Sequence, residues 1–519
     1  MEMYLLSGTQ SVFTNRRKQE TDSAFRALHT ARGGVVFCQA ALRELEDFSI
    51  RDVQVFGWPY DFEWMHVDTA LFNDGIPYPD PLGSPREKQV KAHCTVSVCL
   101  IFRTPAEAAA GTYGVKVRVL GEKCEQEAML SVQVHDVVMP QPKDAALDHD
   151  YYAHPLSGFS FGENKLDPPC DPFYDFERYS PQWWNLVREL ARSLTGMRGN
   201  NMWLQEGLLW DAGSRKTGPG QWTLDFTLTE KYVRCYLENG SFRYINAALG
   251  VVDVTGEYVV SVDEKSRPVR IPISDPEAEI WLSFYVKELY VWFEKMGLLH
   301  MLHFHIQDEP HASKDWLWAR DICRKYAPGI PCGEPLDTYE VAVELEGACD
   351  FYIPRLEVYE QGEDFFRKRQ AAGDQVWAYS CCFPEGEEYM NRFIDRPHIQ
   401  GRLLYWACFS QNITGFLHWG FSFWDSKSIH CMTPEARFKG DGYVTYPDVE
   451  NNSYLPSMRY MAALMGAEEY ELLAIAAKKH PEAAKTLSVS MARNFRVFEK
   501  DSDRLDEARA RLFALCEAE

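Results

Sequence analysis

The segment from Leu299 to His311 concentrates residue types that could do acid–base chemistry. Leu302, Phe304 and Ile306 alternate with His303, His305 and Gln307, the period of a strand with one apolar face and one imidazole and amide face. Such a strand suits a barrel whose outside packs on helices and whose inside faces a polar cavity. Continued alternation puts Glu309 on the cavity side, at the strand's C-terminal end. Pro310 cannot extend the ladder and predicts an extended Glu309. Asp308 would point away on a regular strand and joins Glu309 only if the strand breaks there. Two adjacent carboxylates resist ionising together, so one is expected to titrate high, as an acid–base pair requires. The bland alternative is that Asp308 caps a helix starting near Ser313 and that Glu309 pairs with a basic residue.

Alternate residues on a strand share a face, so His303 and His305 could bind a metal. No third ligand is clearly placed, and hydrogen bonding to the carboxylates is the preferred role. Other strand ends are rich in aromatic and polar groups: Tyr151, Tyr152 and His154; Trp203, Gln205 and Glu206; Arg355; Trp377 and Tyr379; His418, Trp419 and Trp424. Any one tryptophan could be core. Together they predict a pocket for a sugar, whose C–H faces stack on rings while its hydroxyls hydrogen-bond. Substrate contacts are assigned to His154, Trp203, Gln205, His305, Arg355, Tyr379, Trp419 and Trp424. Cys381 and Cys382 lie near a strand end, where one of them could line the pocket. The run from Gly440 to Pro447 reads either as an ordered loop at the mouth or as a plain connection. Gly158 to Gly162 matches G-x-S-x-G, but no helix can follow it, so it is no nucleophile elbow. With no P-loop, dinucleotide fingerprint or H-E-x-x-H motif, no cofactor and no metal are assigned.

The elements that must hold these residues alternate along the second part of the chain. Strands are predicted over 149–154, 200–205, 242–247, 299–307, 330–334, 349–354, 375–382 and 415–421. Helices fall between them over 182–195, 229–237, 276–296, 314–326, 341–347, 362–371 and 396–410, with a last one over 456–477. Eight strand–helix pairs predict an α/β fold, a (β/α)8 TIM-type barrel over 145–478, with a hairpin-like insertion over 251–273. Residues 1–140 carry short β-rich runs broken by turns, a β-sandwich pattern, and 78–85 reads as a loop. A Pro-rich linker separates the two parts, and 479–519 reads as a C-terminal helical extension packed on the barrel through Leu505, Ala508 and Leu512.

The chain has 519 residues, of which 46% are hydrophobic and 14% aromatic, enough for two or three sizeable cores. With 76 acidic against 54 basic residues its net charge is −22, which disfavours nucleic acid and anionic membranes as partners. No apolar run is long enough to span a membrane. Met1 to Arg17 lacks the apolar stretch of an export signal. The 14 cysteines are scattered without zinc spacing, as reduced thiols would be, and a cytoplasmic location is expected.

The run Asp308, Glu309 and Pro310 after an apolar strand is one of several family marks. The others are Gly401 to Trp406 leading to Gly415 to Gly420, and Gly440 to Pro447 with Pro456 to Arg459. Together they resemble glycoside hydrolase family 123 and its broader relatives over nearly the whole chain. The resemblance implies a (β/α)8 enzyme that removes β-linked N-acetylgalactosamine by substrate assistance. Glu309 would be the general acid and then base, and Asp308 would hold the acetamido group whose oxygen attacks the anomeric carbon. A glycan or glycoconjugate substrate follows, and a homo-oligomer stays open. Two other classes compete: a metal-dependent barrel hydrolase using His303 and His305, and a non-catalytic carbohydrate-binding protein.

Overall fold

The structure is a computed structural model that describes the chain apart from residues 73, 123–124, 154–172, 175, 250–256, 425–437 and 519. The N-terminal part is two facing sheets. One has five antiparallel strands in the order Glu2–Ser7, Val35–Arg43, Thr95–Arg103, Phe62–Leu71 and Pro77–Gly83. The other has four, in the order Phe25–Arg32, Glu125–Val138, Gly111–Leu120 and Asp52–Phe56. Val36, Cys38, Val98 and Leu100 from the first interdigitate with Val115, Val117, Leu130 and Val132 from the second. The opposite face of the five-stranded sheet, with Phe37, Met65, Cys99 and Ile101, joins the core of the rest of the chain. Both faces of that sheet are therefore dry, which accounts for near-continuous apolar runs such as Val35–Arg43.

The loop expected over 78–85 is a strand instead. Pro77–Gly83 pairs with Phe62–Leu71 at the sheet's edge. Its prolines lack N–H donors, and an edge strand leaves half its donors unused, so the ladder tolerates them.

The second part is mixed α/β. Its eight parallel strands are, in chain order, Asp148–Tyr151, Asn201–Trp203, Tyr244–Ala248, Leu302–His305, Gly333–Leu336, Phe351–Pro354, Gln375–Tyr379 and Gly415–His418. Each falls within or beside its predicted span. Strands two, three and four form one sheet, and strands five, six, seven, eight and one form another. A bridge between Phe304 and Cys332 joins strand four to strand five. No closed sheet is seen among the described residues. At the seam between strands one and two, the Asn200 amide N–H reaches the His149 carbonyl at 3.0 Å, and the Asn200 side chain takes the His149 N–H at 2.8 Å. A side chain thus occupies a position that a ladder partner would otherwise fill.

The helix over Pro276–Met296 has its predicted bounds because its ends are marked chemically. Asp275 caps the first turn by accepting the Glu277 N–H, and Gly297 ends the helix in the left-handed region at φ 71°. The insertion forms an antiparallel hairpin, Tyr258–Val262 with Pro268–Pro272. Among the described residues no helix is long and apolar enough to cross a membrane.

The helix Met458–Ala477 is buried almost all round, and its polar groups are all matched to partners in other parts of the chain. Glu469 accepts from Arg402 at 2.8 Å, from the Trp406 indole at 2.7 Å and from Arg509 at 3.1 Å. Glu468 takes the Val35 N–H at 2.8 Å, and Glu471 takes those of Ala146 and Leu147. The tail helix Ser502–Glu517 buries Leu505, Ala508 and Leu512 as predicted. It also reaches the N-terminal sheets, where Arg26 donates to Asp503 at 2.7 Å and Glu517 accepts the Asp136 N–H at 2.9 Å.

One buried ion pair couples the two parts. Asp80, on the proline-rich edge strand and fully buried, accepts from Arg459 at 3.0 Å and from the Tyr446 hydroxyl at 2.7 Å. The same guanidinium donates to the Gly440 carbonyl at 2.6 Å. Asp80→Ala leaves Arg459 buried and uncompensated. It is expected to cost about 3–5 kcal/mol of stability, read as a lowered midpoint in denaturant. An unchanged midpoint would mean the pair does not couple the two parts.

Candidate active site

Strand four ends at His305, and the chain bends at Asp308 and Glu309. Glu309 has φ 47°, in the left-handed region. The extended conformation expected ahead of Pro310 is not adopted. Residues preceding proline normally avoid folded backbone, and a non-glycine residue at positive φ is strained, so surrounding contacts must hold this one in place. The twist breaks the strand's alternation, and the Asp308 charge acts on Glu309.

Both carboxylates meet aromatic hydroxyls from neighbouring strands. Tyr152, just past strand one, donates to Asp308 Oδ1 at 3.3 Å, and Tyr379, ending strand seven, donates to Glu309 Oε1. Neither of the bland roles is taken. The helix Ser313–Tyr326 begins at Ala312 with no side-chain cap, and no ion pair to Glu309 forms among the described residues. Loss of surrounding water raises the Glu309 carboxyl to about 7. Asp308 and Asp337 add to the rise, and Tyr379 and Arg355 oppose it. Asp308 is also raised, by desolvation and Asp337, against the pull of His305 and Tyr152. Its side chain nevertheless keeps 32% of its surface open, so a ligand can reach it.

The two histidines on the polar face have different surroundings. His303 stacks on Tyr244 with centroids 3.9 Å apart and lies 5.1 Å from Phe351. Burial alone pushes it down to about 3. His305 sits one layer higher, with Nδ1 at 2.8 Å from Glu334 and Nε2 at 3.7 Å from Asp308. The hydrogen bond expected from the histidines to the acidic pair is not formed: His305 is the one beside carboxylates, but its 3.7 Å to Asp308 is too long and its close contact is to Glu334. No group of three His, Cys, Asp or Glu residues among the described residues is arranged to hold a metal.

The remaining predicted contacts divide. Trp203 packs on Tyr152 and His305, at 4.2 Å and 4.9 Å, and its indole donates to the buried Asp150 at 2.9 Å. Arg355 lies on the Glu309 side, braced by Glu357 and the Asp337 carbonyl. Trp419 donates to Asp441 at 2.7 Å. Gln205 is half-buried past the end of strand two. Cys382 is half-buried in the same aromatic cluster as Trp203, Tyr379 and Trp419. Trp424 departs from its predicted role. Its indole is buried, donates to the Thr445 carbonyl at 2.9 Å and packs on Phe173 and Tyr454, so it supports a loop. His154 and the run 158–162 lie outside the described residues. The segment 440–447 is an ordered part of the mouth. Asp441 anchors Trp419, and Arg392 donates to the Asp441 and Gly420 carbonyls and to His418.

Residue-by-residue reading missed Glu334 and Asp150. Both sit inside strands of four residues, where alternation is too short to display a polar face.

Adjacent like charges make a specific prediction. In Asp308→Asn the Glu309 carboxyl should titrate about one unit lower, followed by carbon-13 NMR of labelled glutamate. An unmoved midpoint would show that the two groups do not interact.

The model for the glycoside hydrolase 123 catalytic domain matches residues 172–476. A solved family 123 glycoside hydrolase from Clostridium perfringens, studied for glycolipid glycan hydrolysis, superposes with a TM-score of 0.77 at 14% identity. The match covers 99% of this chain and 98% of that one. A GH10 xylanase with a bacterial Ig-like domain, from termite gut, reaches only 0.36 at 10% identity over 86% and 99% of the two chains. That likeness carries no weight. No curated protein matches the sequence.

Proposed function

The chain belongs to glycoside hydrolase family 123, and we propose that it is a retaining exo-glycosidase acting on terminal β-linked 2-acetamido sugars, N-acetylgalactosamine first among them. The observation that supports this most is the convergence of Asp308 and Glu309. They are neighbours in sequence, both half-buried and hydrogen-bonded by facing tyrosines, and one of them titrates near neutrality.

A retaining glycosidase with a protein nucleophile needs its two carboxylates on opposite sides of the sugar, roughly 5–5.5 Å apart. Adjacent residues at one strand end approach from one side. Nearby Asp150 and Glu334 are buried and engaged with Trp203, Asn246 and His305. In this reading the nucleophile comes from the substrate. Asp308, as carboxylate, accepts the acetamide N–H and pushes electron density to the acetamide oxygen, which bonds to the anomeric carbon. The bond to the leaving oxygen breaks as Glu309 gives up its proton to it, forming an oxazolinium intermediate. Glu309, now a carboxylate, takes a proton from water as that water opens the ring at the anomeric carbon, and the configuration is retained. Trp203, Tyr379, Trp419, Arg355 and Gln205 are read as the surrounding sugar site.

The same reading takes the eight strands as a (β/α)8 barrel, with a β-sandwich before it over 1–140 and a helical extension after it over 479–519. The Clostridium perfringens relative acts on glycolipid glycans, and a glycan or glycoconjugate of that class is carried over here as substrate. A cytoplasmic location is kept on the support of buried thiols such as Cys38, Cys99, Cys349 and Cys408.

The test is a panel of 4-nitrophenyl β-glycosides: the N-acetylgalactosaminide, the N-acetylglucosaminide, the galactoside and the glucoside. Turnover confined to 2-acetamido sugars is expected. Glu309→Gln should lower it at least about 100-fold for a substrate with a poor leaving group. Turnover of the plain galactoside, or full activity of Glu309→Gln, would overturn the mechanism.

A further inference from the structure

Glu334, the second residue of strand five, has none of its surface exposed. One carboxylate oxygen accepts the Ile306 amide N–H, which fixes the group against strand four. The other lies 2.8 Å from His305 Nδ1. The opposite nitrogen, Nε2, faces Asp308 Oδ1 at 3.7 Å, the oxygen that also accepts from Tyr152. Trp203 meets the imidazole ring edge to face at 4.9 Å, and Tyr152 does so at 6.0 Å. Trp203 and Tyr152, themselves only 4.2 Å apart, therefore crowd the ring from one side, with a buried carboxylate behind it and the site carboxylate ahead.

The charged groups around this ring are acidic. Glu334 faces it from strand five, Asp308 from the end of its own strand, Asp150 from strand one and Glu206 from past strand two. Burial by itself would strip its proton, as His303 shows two residues earlier. That ring packs against Tyr244 and Phe351 and is pushed down to about 3. Glu334 and Asp308 reverse the outcome for His305, which is raised to about 9 and charged at neutral pH. Asp308 needs that charge, because desolvation and Asp337 push its carboxyl toward holding a proton. A protonated Asp308 would be a much weaker acceptor for the acetamide N–H and would bring no negative charge to polarise it.

We propose that Glu334 and His305 are positioning residues that hold Asp308 as an oriented carboxylate for the substrate's acetamido group. This rests on the reading under Proposed function and extends it. Glu334 supplies the anion that keeps the imidazolium, and the imidazolium supplies the cation that keeps Asp308 ionised. His305 then acts through Asp308 rather than on the sugar itself.

The test variant is Glu334→Gln, which keeps the shape and an oxygen for the Ile306 N–H. Its amide NH₂ would face His305 Nδ1 and favour the unprotonated nitrogen. The sign follows from the pairing. With the cation lost, Asp308 binds its proton at higher pH, so activity that needs ionised Asp308 fails earlier on acidification. Nitrogen-15 NMR of the imidazole should show His305 titrating at least about two units below wild type. The acidic limb of kcat/KM for the 2-acetamido nitrophenyl glycoside should move up by about one unit, with the basic limb set by Glu309 unmoved.

His305→Gln, whose neutral side chain preserves packing, should move the acidic limb the same way. Combining it with Glu334→Gln should add nothing further, because the two act as one unit. Folded variants with an unmoved acidic limb, or a Glu334→Gln variant in which His305 titrates as in wild type, would overturn the proposal. A wild-type protein inert on every 2-acetamido glycoside would instead overturn the glycosidase mechanism. The His305 titration needs no substrate and would still decide whether Glu334 controls that ring.

Discussion

The structure is organised by an electrostatic difficulty, two carboxylates on consecutive residues in a place with little water. Left alone, at least one of them would stay protonated and the pair would repel. The surroundings answer in several ways at once. Tyr152 and Tyr379 donate to one carboxylate each, and His305 brings a positive charge to Asp308 but not to Glu309. Both carboxyls are raised, Glu309 to about 7, but only Asp308 has the imidazole beside it, and the proposed division into an acid and an orienting anion builds on that asymmetry. The strained backbone of Glu309 belongs to the same solution. Such a conformation costs about 1–3 kcal/mol and persists here between an Ile306 amide tied to Glu334 and a buried Pro310.

A second chain of contacts carries order from the N-terminal sheets to the site. Asp80 fixes Arg459, Arg459 holds the Gly440 carbonyl, and Arg392 gathers Gly420, Asp441 and His418. Asp441 then holds the Trp419 indole. Every link is a charged or polar group with little or no solvent access, so each depends on its partner for satisfaction. The sandwich is in this sense part of the scaffold of the site, because its outward face is core for the α/β part and its edge strand anchors the mouth.

Much of this was legible in the residues. The helix Pro276–Met296 announced both ends, with a capping aspartate, a first-turn proline and a terminal glycine. The alternation from Leu302 to Gln307 named the right strand, Leu302–His305. Aromatic residues at strand ends drew attention to Trp203, Tyr379 and Trp419, which share one cluster. What escaped were features set by tertiary contact. Pro77–Gly83 reads as a loop by its prolines and is a strand because it lies at an edge. Pro310 argues for an extended Glu309, and the packing around strand four overrides that preference. Trp424 follows the aromatic pattern of its neighbours, yet its indole turns to Thr445. Glu334 could not be paired with His305 from sequence, because the pairing depends on the register between strands four and five.

The central claim is that the attacking oxygen belongs to the substrate's acetamido group. The most direct measurement is the rate of hydrolysis of one glycoside carrying N-acetyl, N-fluoroacetyl, N-difluoroacetyl and N-trifluoroacetyl groups in turn. Each fluorine withdraws electron density from the amide oxygen while changing its size little. If that oxygen bonds to the anomeric carbon in the transition state, kcat should fall steeply and steadily along the series. A flat response would mean the acetamido group only binds, and that water or a protein group makes the attack.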